Sequence, residues 1–393
     1  MKAFAPLLPL ALVPLVVLPL LFSCTSAGKG LSQSPAKAEA EMTERELAGQ
    51  MIICGFNGTE LTPEFRAFLH DYAIGNVILF ARNIRSVEQT RKLCRDIQQT
   101  VQERTGSSAF ICVDQEGGRI SRIPRELTPL CAAADFAARH KPADAYKAGL
   151  LTARQLALCG INVNFAPVAD INSNPRNPVI GDRAYGTTPQ QVSPYVSQMA
   201  KGLQAGGIVC AAKHFPGHGG TDEDSHVALP LVRKSLPELR SFELKPFRQL
   251  AAEGIPMIMT AHIMFPLIDA DRPATLSHTF LTDILRKELH FKGIIVTDDL
   301  EMQAIRSRFG VADGAVCAVQ AGADMLCLSI SGSDAAAVSD ALTSRISRER
   351  LVESVRRIRA AKAGLPSIEA LSAEELREKI EACNQLAQSK EIR

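Results

Sequence analysis

Eight short apolar runs, each followed by a stretch of helical periodicity, limit what this chain can fold into more than any other feature of its sequence. The runs are Met51–Phe56, Asn76–Phe80, Phe110–Asp114, Asn162–Val168, Ile208–Lys213, Met257–His262, Gly293–Asp298 and Met325–Ser329. Their hydrophobicity is continuous rather than alternating, as expected of strands buried on both faces of a parallel sheet. Amphipathic stretches lie between them, among them Ser86–Arg104, Thr188–Ala205, Ser235–Ala252 and Val311–Ala321. Strand-then-helix units repeated without a break in composition predict an α/β fold, a single (β/α)8 TIM-type barrel. The competing doubly wound sheet ordinarily stops at roughly five to seven strands. Two further helical patterns, Arg348–Ala363 and Ser372–Ser389, predict a C-terminal helical extension, the second opened by a capping box of Ser372 and Glu375. The barrel domain is thus expected over residues 44–365 and a helical tail over 366–393.

The N-terminus stands apart. Lys2 precedes an apolar, proline-rich run from Phe4 to Phe22, which ends in Leu21-Phe22-Ser23-Cys24. This pattern resembles a bacterial lipoprotein signal over residues 1–23, with Cys24 as the lipidated residue; an uncleaved membrane anchor is the alternative, since the run is nearly long enough to span a bilayer. Either way the body is expected outside the cytoplasm, as an extracytoplasmic, membrane-anchored protein. Residues 24–43 contain a stretch rich in Ser, Lys, Ala and Gly and are expected to form a flexible tether. Nine cysteines follow Cys24 without metal-type spacing, several of them inside the apolar runs, and are expected to be mostly buried free thiols. A net charge of +2, no Trp and 4 Tyr offer neither a basic footprint nor stacking platforms for nucleic acid.

In a barrel, polar residues just after each strand gather on one catalytic face. The third run leads into Asp114-Gln115-Glu116-Gly117-Gly118-Arg119 and then Arg122; the fourth into Asp170 and Val179-Ile180-Gly181-Asp182-Arg183. The fifth leads into Lys213-His214-Phe215-Pro216-Gly217-His218-Gly219-Gly220, continuing to Asp224-Ser225-His226. The sixth ends in Thr260-Ala261-His262 and the seventh in Thr297-Asp298-Asp299. Two chemistries compete for this set. A metal site could draw on His214, His218, His226 and nearby aspartates, but the Gly-Gly-Thr stretch gives a mobile loop and no two ligands share a helical face. Glycoside hydrolysis needs a nucleophilic or basic carboxylate and a proton donor across the scissile bond. Asp298, fixed at a strand end, suits the nucleophile. For the proton donor, Glu116 is followed by two glycines that suggest a backbone turn, whereas Asp224 two residues from His226 can fix an imidazole tautomer and stabilise its charge.

These motifs, in this order, resemble those of glycoside hydrolase family 3 β-N-acetylglucosaminidases of the NagZ type. The resemblance spans roughly residues 44–365 and rests most on Lys213–Gly219, Asp224-Ser225-His226, Asp114–Arg119, Val179–Arg183 and Thr297-Asp298-Asp299. It implies a (β/α)8 barrel, no cofactor or metal, and a retaining mechanism. Asp298 would be the nucleophile and His226, paired with Asp224, the general acid/base. Asp114, Arg122, Arg183, Lys213 and His214 would hold the sugar. Gly220 stands where some members carry Asp or Ala. Relatives in the wider family use a Glu from a second domain; this chain is expected to have no such domain, so its donor would come from the barrel's own loop.

The expected reaction releases terminal, non-reducing β-linked N-acetylglucosamine from a carbohydrate partner, either GlcNAc-MurNAc material of peptidoglycan or chitin fragments. Phosphorolysis is the close alternative, because a histidine repels an incoming phosphate less than a glutamate does. A lipid-anchored, non-catalytic sugar-binding protein is the alternative from another class. Arg183 could instead pair with Asp182 or Asp170, and Lys213 could hold Asp298 in the resting site.

Overall fold

The computed structural model describes residues 38–222, 229–329, 332–390 and 392 of the chain. Eight parallel strands close into a barrel in sequence order: β1 (Ile52–Cys54), β2 (Asn76–Ile78), β3 (Phe110–Val113), β4 (Val163–Asn164), β5 (Val209–Phe215), β6 (Met257–Thr260), β7 (Ile294–Asp299) and β8 (Met325–Leu328). Closure is made by β8 on β1, with Ile52 opposite Leu326 and Cys54 opposite Leu328. Every strand residue up to the catalytic ends is buried or nearly so, which is why the sequence shows unbroken apolar runs.

The helices are α1 (Glu44–Met51), α2 (Pro63–Asp71), α3 (Val87–Thr105), α4 (Ala133–Arg139), α5 (Pro142–Cys159), α6 (Pro189–Ala205), α7 (Leu236–Ser241), α8 (Leu244–Ala252), α9 (Gln303–Phe309), α10 (Val311–Ala321), α11 (Gly332–Arg345), α12 (Arg348–Lys362) and α13 (Ala373–Ala387). A π-helical segment, Thr279–Glu288, precedes β7. The single helix expected over Ser235–Ala252 is two, α7 and α8. Pro246 accounts for the break: its ring excludes a helical carbonyl four residues back, at Phe242, which adopts φ −134° and ψ −83°. The capping box of Ser372 and Glu375 opens α13 as expected. Among the described residues no helix is long and apolar enough to cross a membrane.

Helices α5 and α6, which precede and follow β4, pack side by side. A Cβ at Gly202 would stand 2.1 Å from the Tyr146 carbonyl oxygen, and one at Gly149 would stand 2.5 Å from that of Met199, so the two helices meet backbone to backbone. All nine described cysteines are free thiols, seven of them buried, and burial raises the Cys159 and Cys210 thiols to about 12.

Polar residues plug the strand-start end of the barrel. Asp324, fully buried, accepts from the Ile295 amide, Ser354 and Arg357, and also pairs with Arg286. Lys362 at the end of α12 reaches the Gly75 carbonyl at 3.0 Å and Gln50 Oε1 at 3.1 Å. Burial pushes its ammonium down to about 7. Between about pH 7 and the ordinary lysine range near 10.4, the unfolded chain holds a proton that the folded one has released. Stability from this group therefore rises with pH across that window. In Lys362→Met, thermal unfolding followed from pH 7 to 10 is expected to lose that rise; a wild-type and variant pair with parallel pH profiles would show that Lys362 keeps its proton in the fold.

Candidate functional site

The strand-end residues converge on a cavity of about 760 Å³ at the C-terminal mouth of the barrel. Its apolar floor includes Ile78 of β2, Phe165 after β4, Met259 of β6 and Cys327 of β8. Asp114, Arg122, Arg183, Lys213, His214 and Asp298 all line it, so the structure brings together six of the eight residues picked out by sequence for catalysis and sugar binding. The other two, Asp224 and His226, lie outside the described residues, as does Cys24.

Lys213 anchors one wall. It is 2% exposed, and its Nζ stands 2.6 Å from both Asp114 Oδ1 and Glu116 Oε1. Burial opposes its charge, but the two carboxylates more than offset that and hold the ammonium above its ordinary range. Arg183, in the short 3-10 turn Gly181–Arg183, grips Glu116 with two parallel bonds of 2.8 Å. Glu116 is buried, yet Lys213 and Arg183 hold its carboxyl far below the usual carboxylate range. The sequence alternatives are corrected here. Arg183 pairs with Glu116, while its neighbour Asp182 turns outward to Arg119 at 2.8 Å. Lys213 pairs with Asp114 and Glu116, and its charge only adds to the field that lowers Asp298.

Glu116 itself is the group that sequence reasoning passed over in favour of the turn beside it. Both features are present: Gly117 and Gly118 take φ of +97° and +53°, and side chains there would strike Cys131 O and Ala132. The turn leaves Glu116 facing inward, and its place at a strand end was the available signal.

His214 is oriented by Asp170. Its Nδ1 lies 2.6 Å from Asp170 Oδ2, and the His214 and His218 amides also donate to that carboxylate. Burial of Asp170 is outweighed by His214 and its other donors, so its carboxyl stays below the ordinary range and ionised. Nδ1 therefore carries the proton, and Nε2 presents a lone pair toward Arg183 NH2 at 3.4 Å. His218 is driven down to about 4, by burial first and then by His214, and remains neutral. The Lys213–His214 peptide is cis. Among the described residues no cluster of three or more His, Cys, Asp or Glu is arranged to hold a metal ion.

Asp298 stands at the end of β7. Burial would raise its carboxyl, but His262, His214, the Asp299 amide and Lys213 together bring it below its usual value. The Asp299 amide donates to Oδ1 at 2.8 Å. The next peptide is held from both sides: the Asp299 carbonyl accepts from His262 Nε2 at 2.9 Å, and the Leu300 amide donates to the Cys327 carbonyl at 3.0 Å. His262 is fully buried, burial lowers its pKa, and its Nδ1 lies 2.9 Å from Thr275 Oγ1, which also stands 2.8 Å from the Ala261 carbonyl oxygen. Asp299 turns its own carboxylate to the Glu301 and Ser329 amides and the Ser329 hydroxyl.

Comparison with known proteins agrees with this geometry. Residues 43–361 match the N-terminal domain of glycosyl hydrolase family 3. The chain is 36% identical over 373 residues to beta-hexosaminidase A of Pseudoalteromonas piscicida, covering 84% of this chain but only 62% of that longer protein. It is 37% identical over 293 residues to beta-hexosaminidase of Neisseria meningitidis serogroup B, covering 72% of this chain and 79% of the relative. Among solved structures, a glycoside hydrolase family 3 beta-N-acetylglucosaminidase from Paenibacillus superposes with a TM-score of 0.82 at 38% identity, covering 88% and 69%. Native NagZ from Neisseria gonorrhoeae gives 0.71 at 31%, covering 85% and 96%.

In Asp170→Asn an amide N–H faces His214, so the ring is expected to switch to its Nε2–H form and meet Arg183 donor to donor. Ring ¹⁵N shifts should report the switch, and unfolding should become easier by about 1–3 kcal/mol, the cost of a disrupted buried polar pair. An unchanged tautomer would show that Asp170 does not orient His214.

Proposed function

The chain belongs to glycoside hydrolase family 3, and on that footing we propose that it is a retaining exo-β-N-acetylglucosaminidase. The observation that carries the proposal is Asp298: an ionised carboxylate on a rigid strand end, one oxygen held by a backbone amide, in a cavity walled by Lys213, Asp114, Arg183 and His214. A cavity closed on one side by paired charges suits one terminal sugar, with Asp114 accepting from its hydroxyls and Arg122, Arg183 and Lys213 donating to them. In the first step Asp298 Oδ2 attacks the anomeric carbon while His226, supported by Asp224, gives its proton to the leaving oxygen. The glycosidic bond breaks and a glycosyl ester forms. In the second step His226 takes a proton from water, whose oxygen attacks the same carbon and frees Asp298. The terminal sugar is proposed to be β-linked N-acetylglucosamine of GlcNAc-MurNAc fragments or chito-oligosaccharides.

Cleavage of an aryl N-acetyl-β-glucosaminide is the direct test. Asp298→Ala is expected to lower kcat by at least about 10³-fold, and retention of turnover would remove Asp298 from the reaction. Sugar 1-phosphate, rather than free sugar, appearing when phosphate is added would make the enzyme a phosphorylase. Binding of the sugar without any turnover would make the protein a lectin-like module. Because the Asp298 carboxyl is held below the ordinary aspartate value of about 3.9, its protonation limits kcat/KM only beneath that pH. An acid limb lying above it would titrate another group.

We further propose that residues 1–23 are a signal and that Cys24 carries the lipid. Metabolic labelling with a radioactive fatty acid should mark the wild-type chain and not Cys24→Ser; equal labelling of both would exclude Cys24 as the anchor.

A further inference from the structure

The loop after β3 is long, running from Asp114 to Ala132, and it carries Asp114, Glu116 and Arg122 into the cavity. Its first half is knotted on Gln115. Asn164 of β4 pairs with both the amide and the carbonyl of Gln115 at 2.9 Å. Gln115 Oε1 then accepts from the Arg122 amide at 2.6 Å, the Ser121 hydroxyl at 3.1 Å and the Ile123 amide at 3.2 Å. The second half returns to this turn at Leu130, whose carbonyl accepts from the Gly118 amide at 2.9 Å, and the chain between Ile123 and Leu130 has anchors of its own.

Those anchors come largely from outside the barrel strands. Asn384 of α13 accepts from the Thr128 amide and donates to the Glu126 carbonyl, both at 2.8 Å. One side-chain amide thus pairs with alternate backbone groups as a neighbouring strand would. Gln155 of α5 donates to the Thr128 carbonyl at 2.8 Å, and the Glu126 carboxylate accepts from the Val87 amide at the start of α3 at 2.8 Å. Helix α13 is itself seated by buried Cys383 and Ala387. It lies beyond the matched family domain, which ends at residue 361.

We propose that Asn384 is a positioning residue for sugar binding: α13 acts as a strap that holds residues 126–128 and so fixes the Arg122 turn at the cavity wall. The inference rests on the proposed function, through the role given there to Arg122. Only an amide supplies both the donor and the acceptor. Asn384→Asp keeps the acceptor alone, and Asn384→Leu keeps the volume with neither.

The test combines kinetics with a double-mutant cycle, using the aryl N-acetyl-β-glucosaminide and the full chain. Asn384→Leu is expected to raise KM about fivefold or more with kcat within twofold, and Asn384→Asp to fall between it and wild type. Backbone hydrogen exchange over residues 121–130 should quicken in Asn384→Leu while that of β5 and β7 does not. In an Arg122→Ala background the further effect of Asn384→Leu on KM should vanish, because the strap would have nothing left to position. An active Asn384→Leu enzyme with unchanged KM, or effects of the two substitutions that multiply independently, would overturn this inference and leave the proposed function standing. A wild-type chain with no turnover would overturn both.

Discussion

The buried contact of Lys213 with Asp114 and Glu116, extended to Arg183, is the constraint around which the rest of the site is arranged. Each of these ions loses several kcal/mol of hydration on burial, and only close pairing offsets that loss. The partners come from the end of β3, the loop after β4 and β5, so none can be relaxed separately. The backbone-to-backbone approach of α5 and α6 at Gly149 and Gly202 belongs to the same requirement, because those helices lie behind the strands that carry the charges. Stability and site geometry are here one arrangement.

Much of this was legible in the sequence because strands buried on both faces leave unbroken apolar runs, and because a barrel collects its strand ends. Six of the eight strands fall within those runs, β5 and β7 pass the ends of theirs by two residues and one, and Asp114, Lys213, His214 and Asp298 follow from their position alone. Pairings were not legible. Asp182 adjoins Arg183 in sequence, yet the tight turn sends the two side chains opposite ways, and the partner chosen is Glu116, far back along the chain. The split of α7 from α8 turned on a single proline whose ring acts on a carbonyl four residues earlier. Asn384 gives no signal at all: an asparagine on a helix looks the same whether it faces solvent or another loop.

Rigidity is graded around the cavity. The Asp298 side is locked by hydrogen bonds to neighbouring strands, with His262 from β6's end and the Cys327 carbonyl from β8 fixing one peptide between them. The Arg122 side hangs on side-chain amides instead: Gln115, Asn164, Gln155 and Asn384. The carboxylate at the end of β7 is thus held by strand backbone, and the loop that carries Arg122 into the cavity by side chains.

The pairing of Lys213 and Arg183 with Asp114 and Glu116 before any ligand arrives has a consequence for exchange with solvent. A neutral sugar entering such a wall meets oriented dipoles instead of bare charges. It neither brings nor removes a counter-ion. Ionic strength, which governs capture wherever a ligand neutralises a cationic surface, has little to act on here. Occupancy of the cavity is then set by shape and hydrogen bonding.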